Sequence, residues 1–112
     1  MNTCHFIGKF VHDPELKKVP RVDGEPETSV VNFRLAISRK FKKNSGESGT
    51  QTNFLDFEVW DTAAEVVANN FRKNDTIIIT NASARNEFYE DVETGRKFNL
   101  IRFRVEKFEF PS

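Results

Sequence analysis

Arg39-Lys40-Phe41-Lys42-Lys43 sets one aromatic ring among four cations. Phe54 and Trp60 stand six residues apart in a second segment, and Phe88-Tyr89 follow Arg85 in a third. An aromatic ring offers a flat face on which another planar π system can stack. With a nucleobase that contact is worth ~1–3 kcal/mol, whichever base it is. Lysines and arginines beside such rings can pair with phosphates and release counterions. Rings and cations together suit a polyanion whose planar groups are unpaired, as they are in a single nucleic acid strand.

Other chemistries are poorly supplied. Cys4 is the only cysteine, so neither an intrachain disulfide nor a thiolate metal cluster can be built, and a reducing compartment fits. Its plain role is a small filler of core or interface. His5 and His12 lack metal-ligand spacing. Asp56 and Glu58 share a strand face, in the manner of a two-carboxylate site, but nothing nearby supplies a third ligand or a matched base. There is no phosphate-cradling glycine loop and no nucleophile elbow. No enzyme, metal or cofactor is expected.

The chain has 112 residues, which suits one domain spanning 1–112. Such a domain buries its core with little to spare, and self-association is a common remedy. Lysine plus arginine equals aspartate plus glutamate, at 17 each, for a net charge of zero. Any binding of a polyanion must therefore use a local groove rather than bulk charge. The stretch from Thr28 to Gly46 carries Arg34, Arg39, Lys40, Lys42 and Lys43 and no acidic residue. No apolar run approaches the ~20 residues of a membrane span. The N-terminus lacks a signal pattern.

The elements that must position these residues are mostly strands. Residues 4–11 form the first, with Gly8 read as a bulge or bend. Asp13-Pro14, Pro20, Asp23-Gly24 and Pro26 then mark a loop. Residues 30–39 alternate, with Val31, Phe33, Leu35 and Ile37 inward and Asn32, Arg34, Ala36 and Ser38 outward. Residues 44–52 read as a mobile hairpin tip. In 53–60, Leu55, Phe57 and Val59 face inward, and Phe54, Asp56, Glu58 and Trp60 face outward. The two outward carboxylates suit pairing with Arg34 or Arg102 across the sheet. Thr62 and Glu65 read as a capping box, opening a helix with an Ala64, Val67, Ala68, Phe71 stripe that ends at Asn74-Asp75. A fourth strand starts at Thr76 with Ile77 and Ile79 inward and runs to Tyr89. Glu93 to Arg96 turns the chain into a last strand, from Lys97 to about Val105. There Ile101, Phe103 and Val105 face inward, and Arg102 and Arg104 outward. Phe6, Phe33, Phe57, Phe71 and Phe103 belong to the core, and Phe108 and Phe110 close the base or an interface. The expected fold is all-β: a five-stranded barrel of the oligonucleotide-binding (OB) type, with one helix between strands three and four.

From Cys4 to Phe110 the chain resembles the DNA-binding domain of bacterial and phage single-stranded-DNA-binding proteins. The segments Phe6-Ile7-Gly8-Lys9, Asp13-Pro14-Glu15-Leu16, Val31 to Ala36, Phe54 to Trp60, Ala64 to Ala68, and Tyr89-Glu90-Asp91 with Gly95-Arg96 carry the likeness, in order. The resemblance implies a non-catalytic barrel, usually a homotetramer and sometimes a dimer. It implies binding of single-stranded DNA in replication, repair and recombination, in a bacterial or phage-infected cytoplasm. Its stacking positions fall on Phe41, Phe54, Trp60 and either Phe88 or Tyr89. The motif favours Tyr89, whereas strand parity back to Ile78 favours Phe88. Phosphate contacts would come from Lys9, Arg34, Arg39, Lys40, Lys42, Lys43, Arg85 and Arg102.

Two features depart from the family pattern. Glu109-Phe110-Pro111-Ser112 does not match the family's acidic, apolar-tipped tail, which recruits replication proteins; either the protein works without that recruitment or the tail lies outside this sequence. Residues 17–29 also carry an added loop rich in charge and proline. The alternative reading is an accessory, primosome-like barrel that mainly binds partner proteins. Stacking and phosphate contacts do not by themselves separate DNA from RNA.

Overall fold

In the computed structural model, residues 1–22 and 24–112 are described; Asp23, part of the expected loop turn, lies outside them. The order is β1 (Cys4–Phe10), β2 (Lys17–Val19), β3 (Thr28–Lys42), β4 (Ser48–Trp60), α1 (Asp61–Asn70), β5 (Thr76–Glu90) and β6 (Lys97–Glu109). The sheet runs β1-β5-β6-β4-β3, and pairing of β1 with β3 closes it. These five strands make the expected barrel, with α1 between its third and fourth strands. Within the barrel each of the five strands has a neighbour on both sides.

Inward residues meet where alternation predicts. Val31, Leu35, Phe57, Val59, Ile77 and Ile79 are buried, and the Phe33 and Phe57 rings stack 5.4 Å apart at 11°. Phe6 meets Phe57 and Phe103 edge-on. Ala64 and Val67 of α1 plug one end, followed by Phe71, on which Phe110 lies parallel at 5.0 Å. Phe110 thus lies over Phe71 at the barrel base with about half its surface exposed.

Several local expectations are corrected. The charged loop after Pro14 contains the short strand β2, whose Lys17, Lys18 and Val19 pair with Val30, Ser29 and Thr28. The tip between β3 and β4 is only 43–47; paired strands run out to Lys42 and back from Ser48. α1 starts at Asp61 without a side-chain cap and ends at Asn70. With Trp60 at the N-cap, Thr62 and Glu65 lie two residues too far along to form the box, and the Glu65 carboxylate faces Lys18 Nζ at 3.5 Å and Ser29 Oγ at 3.4 Å. β6 continues past Val105 to pair Phe108 with Ile79. Ile101 is 55% exposed rather than inward, because it lies where β5 and β6 run beyond the core as a two-stranded arm.

Gly8 is not at a bulge. The irregularity lies between Cys4 and Phe6. A Cβ at residue 8 would sit 2.9 Å from Ile37 Cγ1 and 3.1 Å from the Ala36 carbonyl oxygen, so the glycine permits the close crossing of β1 over β3. Gly8→Ala is expected to lose about 1–3 kcal/mol of stability by overpacking. Denaturant unfolding measures this, and an unchanged midpoint would show that β1 moves aside freely.

Candidate functional site

Cross-strand partners share a face, so the register lays out the outer surface of β3, β4, β6 and β5 in rows. One row reads Arg34, Asp56, Arg102, Arg85. The next reads Asn32, Glu58, Arg104, Ser83. On the other side of the first row, Lys9, Ala36 and Phe54 are aligned across β1, β3 and β4. Phe54 projects from the outer face of β4 with 59% exposure, whereas Glu58 on the same face is buried.

Register shifts between Ile79 and Ala82 decide what β5 adds. Ile77, Ile79 and then Ala82 face the core, so parity changes across the shift. From there Ser83, Arg85, Glu87 and Tyr89 point outward. Tyr89 joins the face of Phe54, paired with Phe98 of β6, while Phe88 takes the opposite face beside Asn99. Counting back to Ile78 puts Phe88 outward only because the shift leaves no mark in the sequence.

The β3–β4 arm divides its residues likewise. Lys40 and Lys42 share parity with Ala36 and therefore with Phe54, whereas Arg39 and Phe41 lie on the other face. The Phe41 ring covers Gly49, whose absent side chain makes room for it; a Cβ there would meet Phe41 Cζ at 2.7 Å. The ring is still 40% exposed. Phe41 and Phe54 therefore do not share one face of the arm. Trp60 is half-buried, and the Arg104 guanidinium stands 5.8 Å from its ring centroid. Among the described residues its buried indole N–H has no partner.

The arginines of the face are already engaged. Arg34 donates to Asp56 at 2.9 and 3.3 Å, and Arg85 to the buried Glu58 at 2.6 and 2.9 Å. Arg102 donates to Glu87 at 2.6 Å. Asp56 thus pairs with Arg34 as expected, but Glu58 takes Arg85, which sequence reasoning did not connect to it. These fork-like pairs neutralise the centre of the face. Lys40, Lys42 and Lys43 make no ion pair among the described residues, so free positive charge sits on the arm.

Sequence reasoning missed Glu87, Phe98 and Leu100. Alternation outward from Arg102 would have found Phe98 and Leu100; Glu87 needed the β5 shift. Its carboxylate accepts hydrogen bonds from the Tyr89 hydroxyl and Arg102. These donors, Tyr89 first, hold its pKa below the ordinary 4.5. A folded-state pKa depressed in this way contributes stability above the unfolded value, which is lost as pH falls through the folded one. The stability difference between parent and Glu87→Gln is therefore expected to shrink from about pH 6 to about pH 3. Chemical unfolding across that window checks it, and a constant difference would contradict it.

Among the described residues no three His, Cys, Asp or Glu are grouped to hold a metal ion, and no helix is long and apolar enough to cross a membrane.

Residues 1–111 match the single-strand binding protein family. The chain is 38% identical over 73 residues to single-stranded DNA-binding protein 2 of Clostridium acetobutylicum, covering 65% of this chain and 50% of that protein. It is 27% identical over 106 residues to the single-stranded DNA-binding protein of Aquifex aeolicus, covering 95% and 67%. It is 30% identical over 95 residues to single-stranded DNA-binding protein 1 of a Synechocystis species, covering 85% and 70%. The chain thus spans between 50% and 70% of the length of these relatives.

Proposed function

This chain belongs to the single-strand binding protein family, and on that footing we propose that it binds single-stranded DNA with little sequence preference. It holds the strand during replication, repair or recombination and performs no chemistry on it. One observation supports this reading above the others. The exposed Phe54 and the Tyr89–Phe98 pair share an outer barrel face with Lys40 and Lys42 of the β3–β4 arm. Bases stack on Phe54 and Tyr89, with Trp60 at the far end of β4. Phosphates follow Lys9, Lys40, Lys42 and Lys43. Phe41 and Arg39 serve a strand that wraps to the other side of the arm.

The whole chain acts as one domain and self-associates, as a homotetramer or a homodimer. Support for association comes from Ile7 of β1, 61% exposed beside its partner Ile78. The setting is the cytoplasm of a bacterial or phage-infected cell.

The test is competition against labelled oligo(dT). Unlabelled single strands of mixed sequence displace it at similar concentrations, and duplex DNA does so far less well. Equal competition by duplex would refute the proposal. Sedimentation of the free protein at micromolar concentration checks association, which a monomer would contradict.

A further inference from the structure

A recess of about 230 Å³ opens beside the arginine row, between the turn after β1 and the outer face of β3 and β4. His12, Asp13, Asn32, Arg34, Asp56 and Arg102 line it. Its charges are balanced and mostly committed. Arg34 is forked onto Asp56, Arg102 is held by Glu87, and Asp13 accepts the Lys73 backbone N–H at 2.7 Å. A phosphate entering here would gain two guanidiniums already satisfied by carboxylates and would face Asp13 and Asp56 directly. An uncharged ring with donors and acceptors along its edge meets no such repulsion.

Unspent hydrogen-bonding capacity also lies here. Asn32 accepts only a long contact from Arg102, at 3.4 Å, and among the described residues its amide nitrogen has no partner. A carboxamide matches the paired donor and acceptor of a base edge. The recess adjoins Asp56, two residues along β4 from Phe54 on the same face, or about 7 Å. A strand stacked on Phe54 therefore brings a neighbouring nucleotide over it.

We infer that this recess is a subsite for one unstacked nucleobase, held by its edge through Asn32 and the Arg34–Asp56 pair rather than by its phosphate. The inference rests on the single-strand reading above but adds a contact that salt does not weaken.

Two measurements on the full chain test it. In the first, the Asn32 side-chain amide resonances are followed by NMR during titration with thymidine, which carries no phosphate, and separately with inorganic phosphate at equal ionic strength. Thymidine shifts them and phosphate does not. In the second, Asn32→Ala binds oligo(dT) about tenfold more weakly, within the range of one paired base edge, with an unchanged slope of log affinity against log salt. Parental affinity in the variant, a reduced slope, or resonances that ignore thymidine would each overturn the subsite. The parent's own binding of oligo(dT) separates the two levels. If the parent binds and Asn32→Ala is silent, only the subsite falls; if the parent does not bind, the broader reading falls with it.

Discussion

Phe54→Ala is expected to weaken oligo(dT) binding by about 1–3 kcal/mol per bound segment while leaving the melting temperature nearly unchanged. The ring is 59% exposed, so its removal opens no cavity in the core. It carries no charge, so counterion release is untouched and the salt slope stays the same. Trp60 lies six residues away on the same strand face, about 20 Å along β4. On the proposed reading the two rings serve different bases, and loss of one is not expected to silence the other. Replacing Lys42 and Lys43 does the opposite, lowering the slope by about 1 for each phosphate that is no longer neutralised. Salt titrations of oligo(dT) affinity, with thermal melts alongside, separate these outcomes. If Phe54→Ala binds like the parent but melts far lower, or breaks the oligomer, the ring is a packing residue.

Arg85→Ala is expected to act on stability far more than on DNA. Glu58 has a side chain only 4% exposed, and Arg85 supplies its forked hydrogen bonds. Removing the arginine leaves a buried carboxylate without its cation, a loss of about 3 kcal/mol. The figure is at the low end for a broken buried pair because Arg85 itself is 44% exposed and water can reach the gap. Against a total stability of about 5–15 kcal/mol, that is a large share. Adding Glu58→Gln in the same chain removes the stranded charge and recovers part of the loss. The salt slope of DNA binding hardly changes, since this guanidinium is already neutralised. A variant that melts like the parent but has a flatter slope would make Arg85 a phosphate contact after all.

The barrel can be read from the sequence because alternation is a property of single strands. Val31 to Ile37 and Leu55 to Val59 each carry their own inward set, and no knowledge of a neighbour is needed to see it. Ion pairing depends on neighbours. β4 lies beside β6 in parallel, with Asp56 against Arg102, and β6 brings β5 next to it. Strands that meet in parallel across such a separation leave no local trace, so nothing in the sequence matches Glu58 to Arg85. The β5 register shift is hidden for a related reason: Thr80-Asn81-Ala82 looks like ordinary strand residues. The capping box fails because the helix begins at Asp61, which leaves Thr62 inside its first turn and Glu65 free to face Lys18 of β2, a strand that prolines and charges disguise as loop. Gly8 stands out in the sequence, but for a different cause than the structure gives it, since a crossing strand and a bulge both demand a missing side chain.

The β5 shift sets a rule for inherited length changes in the arm between β5 and β6. Beyond it, odd- and even-numbered residues occupy opposite sides, with Tyr89 on one and Phe88 on the other. Inserting two residues between the shift and Tyr89 lengthens the arm and keeps each ring on its side. Inserting one between Glu87 and Phe88 exchanges them, turning Phe88 toward Phe54 and Tyr89 away from Glu87. An aromatic remains on either side in both cases. Adjacent rings at 88 and 89 thus make the arm tolerant of one added codon at that step: a ring remains on the side of Phe54, and only the hydroxyl tethered to Glu87 is lost.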